Sequence, residues 1–578
     1  MRAGRGIALM CAVLALAGCA SIPTSGPVRE GAGVVEESDS FVPFAEGPRP
    51  GDSPTAIVTG FLQAIPQGFA SDFTVAREFL TPEASLEWDP YATVTIFDSR
   101  AIPLELDEGT GAITYTVPVA ATVDSGGRLT EAPDGADSTL QFVVTQDADG
   151  EYRIAGLEDG SLIAEANFTR LFRRVDLVFA ASDGVTMVEE ARFLPALNAA
   201  TRAASELVAG PSEWLADAVV SGLGLAAELE VDSVVVTDGV AAVRLGQAAA
   251  GTFAESALAY AQLEATLTAL PEVTSIEVTV GGVPLDGDEA VDLAQAPTPD
   301  EVAAALVRGR LALWDGEQLR VTPDDVGRVP DAASGLALAY SGGQVAMVVG
   351  SDRLVVSDAL AGGVASLVPA GDVSGPPSAP MEMREVYAGT DLVDPSYDRH
   401  GWLWTAETAG DGVVVAVPAA GVEGEGALLD APWLAGRDVR AIAVSRDGAR
   451  LAISSRTAGQ TVIEVAGVVR DPAGVPTALT GPIAVGAKAG EGASLSWLDE
   501  MTLAVLGRSD DGTATPLWLV TVGGFTEALT ADADAVAVSS RHGEATLTVI
   551  TADGEVQVRA GASWAISAEG VSDLAYSG

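Results

Sequence analysis

Apolar positions Ala56, Val58, Phe61, Leu62 and Ile65 recur at helical spacing directly behind Ser53-Pro54, a capping residue followed by a proline in the first turn. The spacing predicts a helix that opens a folded unit over residues 55–166. A second helix is predicted near 75–80, followed by strands such as 112–117. A hairpin follows from 140–144 and 152–155, around the turn Asp147-Ala148-Asp149-Gly150. Helices followed by a curved antiparallel sheet make this an α+β unit. The Asp-x-Asp-Gly run lacks the further ligands of a calcium loop and reads as a turn.

A second α+β unit is predicted over 171–293. Strands 175–179 and 186–193 flank the turn Ser182-Asp183-Gly184, and a helix over 199–208 is stopped by Gly210-Pro211. Strands 231–236 and 241–245 surround Asp238-Gly239, a helix covers 254–270, and strand 276–280 runs into Gly281-Gly282. Glu189 and Glu190 are neighbours in a strand and so face opposite ways. They do not form an acid–base pair and read as surface acids.

From 306 to 578 helical periodicity disappears and short alternating runs take over. Five segments share one pattern of strand, polar turn and strand: 335–342 with 344–350, 395–401 with 402–407, 441–448 with 450–455, 495–500 with 502–507, and 535–543 with 545–550. Their spacing of roughly 40–50 residues is that of propeller blades. The chain ends Leu574-Ala575-Tyr576-Ser577-Gly578, repeating Leu338-Ala339-Tyr340-Ser341-Gly342. A lone first strand would leave an open edge, so strands 310–314 and 318–321 are expected to complete its sheet. Six blades closed by both ends of the domain follow.

Ahead of these units, Arg2 and Arg5 precede an apolar run over residues 6–17 that is too short to span a bilayer. It ends Leu16-Ala17-Gly18-Cys19, small residues and then a cysteine. This predicts a lipoprotein signal peptide over 1–18, cleavage between Gly18 and Cys19, and a diacylglyceryl group on the Cys19 thiol. Two acyl chains, at ~0.8 kcal/mol per buried methylene, anchor a protein without basic help. Residues 19–54, rich in Ser, Gly, Pro and acid, read as a flexible tether.

Composition narrows the chemistry. Of 578 residues, 81 are acidic and 31 basic, a net charge of −50 that opposes binding to phosphate backbones. Lys488 is the one lysine. Two histidines, His400 and His542, and two cysteines, Cys11 and Cys19, leave too few ligands for structural zinc and no Ser-His-Asp or Cys-His machinery. No catalytic residue, metal site or cofactor is assigned. The most varied stretch of the propeller is Asp398-Arg399-His400-Gly401-Trp402-Leu403-Trp404. Its histidine is read as a turn residue and its tryptophans, which share one strand face, as inter-blade packing. A deep axial channel lined by acids, Arg399 and His400 would instead favour a glycan-binding protein or a propeller hydrolase or lyase. Acid pairs such as Asp324-Asp325 and Asp510-Asp511 are too common here to signal a site, and His542 before Gly543 reads as a turn.

Several resemblances follow. The first unit resembles the NTF2-like fold. Leu207-Val208-Ala209-Gly210-Pro211 and Val278-Thr279-Val280-Gly281-Gly282 in the second are similar to a GerMN domain, which implies a binding module outside the membrane. Ala443-Val444-Ser445-Arg446-Asp447-Gly448 resembles the Ser-Pro-Asp-Gly turn of TolB-like propellers, with Arg446 in place of proline. Together with Cys19-Ala20-Ser21-Ile22-Pro23-Thr24-Ser25-Gly26-Pro27-Val28, the whole chain resembles the LpqB family of actinobacterial lipoproteins. That resemblance implies a non-catalytic accessory of the MtrA/MtrB two-component system. It would be anchored at the outer face of the cell membrane and act on the extracellular domain of the MtrB sensor histidine kinase, with effects on envelope growth and division.

Overall fold

The computed structural model describes residues 45–578, apart from 99–102, 107–111, 225, 248–251, 286, 288–289, 410–411, 491, 509–514 and 533. Gly18, Cys19, the tether up to residue 44, and Asp510-Asp511 lie outside the described residues.

The opening helix is Pro54–Ser71, and the Ser53 hydroxyl accepts the Ala56 amide at its start. Its apolar stripe, from Ile57 to Phe69, packs with Phe73, Trp88, Tyr91 and Phe142 in an aromatic core of edge-on ring contacts. Gly68 is required there, because a Cβ would stand 2.1 Å from the Phe73 ring. The second helix is the single turn Thr74–Arg77, and Pro82–Glu87 adds another that is too short to register as periodicity. Strand Ala112–Asp124 runs far beyond the predicted six residues, because Pro118 and the threonines around it hide a continuous strand whose two halves pair with different neighbours. The hairpin Asp137–Gln146 with Tyr152–Gly156 forms as expected; Asp147 accepts the amides of Asp149 and Glu151, which marks a turn. The sheet is not wholly antiparallel. After residue 156 the chain crosses to the far edge, and Ser161–Ala164 pairs parallel with Thr93–Phe97.

In the second unit, Phe172–Ala180 and Met187–Pro195 form a hairpin paired along its whole length. Helix Ala199–Ala209 stops at Gly210, whose φ of 93° suits glycine. Helix Phe253–Thr268 starts with a capping box of Thr252 and Glu255. Its Thr266 and Gln262 bond the amide and carbonyl of Val178, fixing the hairpin to the helix. The sheet order is Val235–Thr237, Val240–Leu245, Ser275–Val280 and Val283–Pro284, with a parallel central pair. Strand 231–236 shrinks to its last residues: the Ser233 amide turns back onto the Val231 carbonyl, so pairing begins only at Val235.

The C-terminal part contains six sheets of four or five strands. All five predicted strand–turn–strand repeats form the inner pair of a sheet, from Ala333–Leu338 with Val345–Val349 to Ala535–Ser540 with Leu547–Thr551. The remaining sheet is built from both ends of the domain, but not with the expected neighbour. Val571–Ala575 pairs with Ala303–Val307, and Arg310–Trp314 and Leu319–Val321 lie farther out. Strand Ala303–Val307 is buried on both faces and so shows no alternation, which hid it from pattern reading and set the expected boundary three residues too late. Innermost strands touch those of the next sheet in order, and the sixth touches Val571–Ala575 of the first.

Those contacts use a recurring hydrogen bond. An innermost-strand side chain accepts a backbone amide of the next innermost strand: Ser396 from Val444, Ser494 from Val538, Ser496 from Ser540, Ser539 from Tyr576 and Asp573 from Leu336. Short hydroxyls and one carboxylate thereby satisfy amides that an inner edge would otherwise leave unpaired.

Candidate functional site

The varied stretch 398–404 is organised by Asp398, which is buried. One carboxylate oxygen accepts the amides of His400 and Trp402, both at 2.9 Å; the other accepts the Trp404 indole at 3.0 Å and the Arg470 guanidinium at 2.5 Å. Trp402 and Trp404 lie among Val393, Leu434 and Ile442, with Arg470 over the Trp404 ring. They are inter-sheet packing and offer no platform for a sugar. His400 is half-buried beside Gly448, and burial, then Arg470 and Arg399, push its imidazole down to about 4. It is neutral at ordinary pH, and its backbone amide completes the turn.

Arg399 does not point into an axial channel. Its guanidinium donates to the Asp447 carbonyl at 3.0 Å and to Asp183 of the second unit at 2.6 Å. Burial alone would push the Asp183 carboxyl up. Arg399 and the amides of Thr186 and Val185 outweigh it and hold the carboxyl well below the usual carboxylate range. One turn farther on, Arg446, Asp447 and Arg450 are each 2% exposed or less. Arg450 pairs with Asp447 at 2.5 Å, donates to the Glu500 carbonyl at 2.8 Å, and reaches the Glu189 carbonyl of the hairpin. Arg446 donates to the carbonyls of Leu498, Trp497 and Ser540 at 2.5, 2.7 and 3.0 Å, so one guanidinium ties the fourth, fifth and sixth sheets together. It also stands 3.3 Å from the ring of His542, the turn residue before Gly543.

Glu190 is not a surface acid. Its side chain is buried against Arg192 at 3.0 Å and accepts the Ser212 amide, also at 3.0 Å. Burial pushes its carboxyl up, but Arg192 and Ser212 win and leave it lowered. Glu189 faces the other way and is pushed up, mainly by burial.

The first unit joins the same seam. Glu131 accepts both the amide and the hydroxyl of Thr526 and lies 3.5 Å from Lys488, while Phe525 packs on Phe168 and Phe193. Thr480 donates to the Trp214 carbonyl at 2.5 Å. The inner turns of the third, fourth and fifth sheets are therefore the seat of the hairpin Phe172–Pro195. The residues with the most chemical variety are used to lock three units together.

Two carboxylates remain near the inner end of the domain. Asp573 accepts the Leu336 amide at 2.8 Å, and Asp394 overlies Gly335, where a Cβ would stand 2.3 Å from its oxygen. Burial, with Asp394 adding to it, pushes Asp573 up to about 6. Asp324, itself exposed, pairs with the buried Arg310. No group of three or more His, Cys, Asp or Glu is placed to hold a metal ion among the described residues, and no helix among them is long and apolar enough to cross a membrane.

Sequence reasoning noted the arginine in place of proline at 446 but missed its role. A long cationic side chain at the proline position of a tight turn was the available signal. The inter-sheet serines gave none, since serine near a strand end is commonplace.

Three family models match the chain. Residues 47–169 match the N-terminal domain of lipoprotein LpqB, 176–286 match a family described as sporulation and spore germination, and 305–575 match the lipoprotein LpqB beta-propeller domain. Curated relatives named Lipoprotein LpqB match over much of their length. The Streptomyces avermitilis protein is 28% identical, over 96% of this chain and 95% of its own. That of Thermobifida fusca is 27% identical over 92% and 91%, and that of Bifidobacterium longum 28% over 81% and 79%.

Proposed function

We propose, for a chain that belongs to the LpqB family of lipoproteins, that it works as a non-catalytic, membrane-anchored binding protein for the outer domain of a sensor histidine kinase, MtrB of the MtrA/MtrB system. In this reading Cys19 carries the acyl anchor, the tether that follows ends before Ala45, whose amide bonds Gln67 of the opening helix, and everything beyond lies outside the cell membrane. The NTF2-like unit spans 55–166 and the GerMN-like unit 171–293. The domain from 306, with strand Ala303–Val307 added, is a six-bladed propeller closed by both ends.

The observation that carries the reading is the seam. Asp398, Arg399, Arg450 and Glu190, the groups from which a catalytic site in this chain would be drawn, are committed to each other and to backbone carbonyls across domain boundaries. What is left to act is surface. Anchoring two proteins on one membrane raises their effective concentration, so a weak contact can be occupied.

The test is crosslinking in intact cells with identification of the partner, alongside fatty-acid labelling. Cys19→Ser should abolish labelling and release the protein from the tightly bound membrane fraction. Continued labelling of the variant would remove the anchor from this reading, and a crosslinked set lacking the kinase would remove the partner.

A further inference from the structure

Strand Ser563–Glu569, outermost in the sixth sheet, is the longest outer strand of the C-terminal domain. Its backbone hydrogen bonds run to Glu555–Ala560 on one side, and among the described residues its other edge has no backbone partner. Such an edge invites pairing with another chain, and proteins blunt it with charge, proline, shortness or a cover.

The other five sheets show those devices. Val368–Pro369 is two residues and ends in proline, Arg384–Ala388 opens with Arg384-Glu385, Ala427–Asp430 is short and closes in an acid, and Pro476–Leu479 begins with proline. Thr526–Ala531 is held against Glu131 and has its Thr530 carbonyl capped by the Trp564 indole. Ser563–Glu569 has no proline and no charge before Glu569. Ser563 and Ala565 are exposed, and Ile566 is 56% exposed.

The domain already accepts an added strand at such a position. Val368–Pro369 joins the outer strand Leu319–Val321, antiparallel and supplied by a loop of the same chain. The sixth sheet receives none from within.

Charge selects the occupant. The Ser567 hydroxyl bonds the Gly316 carbonyl at 2.7 Å, which sets the turn of Asp315 and Glu317 beside the strand, and Glu569 stands opposite Glu555 in the pairing register. None of these four acids has an ion-pair partner among the described residues. A second copy of a chain with net charge −50 is repelled from this place.

We propose that Ser563–Glu569 is a strand-addition site. It takes an extended segment of a partner protein, uncharged and alternating along the edge, with arginine or lysine at the end that meets Asp315, Glu317, Glu555 and Glu569. Main-chain hydrogen bonds supply the affinity and the basic end sets the register. The proposal rests on the reading of this protein as a binding partner and gives that reading a surface.

The probe is a synthetic peptide, Arg-Arg-Val-Thr-Val-Thr-Val, added to the full chain in detergent while amide hydrogen exchange is followed. Saturable protection of residues 563–569 is expected, lost at high salt and with a copy carrying a central proline. Ile566→Lys and, independently, Ala565→Lys, at side chains outside the core, should weaken it about tenfold with an unchanged melting temperature. Protection absent at millimolar peptide, or indifferent to both lysines, overturns the site. The kinase outer domain is run in parallel. If it binds and leaves 563–569 unprotected, the edge is overturned as the working contact. If it does not bind while the peptide still protects, the kinase reading fails and the edge stands.

Discussion

Replacing Arg446 with alanine should loosen the C-terminal domain at one identifiable seam. The guanidinium is 2% exposed and donates to three carbonyls, those of Leu498, Trp497 and Ser540, that belong to two sheets other than its own. Hydrogen bonds to a charged group are worth about 1.5–3 kcal/mol each, so the gross interaction is ~4–9 kcal/mol. Burying the cation opposes this, and the same burial lowers the Arg446 pKa. Truncation also leaves the carbonyls to find water or stay unpaired, and removing one partner of a buried charged network costs about 3–5 kcal/mol. We expect a loss of that size for Arg446→Ala. Arg446→Lys should recover part of it, since an ammonium reaches one or two of the carbonyls but not all three. The assays are urea unfolding of the full chain and hydrogen exchange of residues 494–506 and 535–551. Faster exchange should concentrate in those two sheets. An alanine variant that unfolds at the same urea concentration with unchanged exchange there would refute the role assigned to this arginine.

Asp573 should give stability an unusual dependence on pH. Its folded carboxyl is raised to about 6 against an unfolded value near ~3.9, so the native state holds its proton more tightly. The contribution is fully present below the unfolded value and lost as pH rises through about 6; urea midpoints of wild type and Asp573→Asn between pH 4 and 7.5 should converge at the acid end, and parallel curves would contradict the assignment. Asp183 has the opposite sign: its folded carboxyl is depressed, so the bond to Arg399 stabilises above the unfolded value and is lost as pH falls below it. Arg399→Ala should cost about 1–3 kcal/mol and raise exchange in residues 181–187, and an undisturbed hairpin would count against the seam. Deleting residues 571–578 removes the strand paired with Ala303–Val307 and should lower the melting temperature and promote association through the open edge; a monomer of unchanged stability would show that the first sheet does not need it.

Periodic elements were legible in the sequence. The opening helix with its Ser53 cap, the hairpin around Asp183, the two long helices of the second unit and the five inner strand pairs all follow from spacing and turn residues that are local in the chain. Elements without a local signature were not. Ala303–Val307 lacks alternation because both its faces are covered, and the parallel partnership of Ser161–Ala164 depends on a crossover that no local pattern specifies. The seam was hidden for a third reason. Arg399 and Asp183 are 216 positions apart and Arg450 and Glu189 are 261, so each side carries an ordinary polar residue whose partner only the fold reveals. Glu190 is a different case: Arg192, the arginine that permits its burial, is two positions away on the same strand face, a local clue that the sequence reading did not use.

The central claim, that this member of the LpqB family acts by binding rather than by catalysis, is tested most directly by titrating the outer domain of the sensor kinase against the full chain purified from membranes into nanodiscs, at low and at high salt. The account predicts saturable binding that weakens as salt rises, because a chain of net charge −50 meets its partner through complementary charge. No binding at either salt, together with turnover of a glycan or peptide substrate by the same preparation, would contradict it.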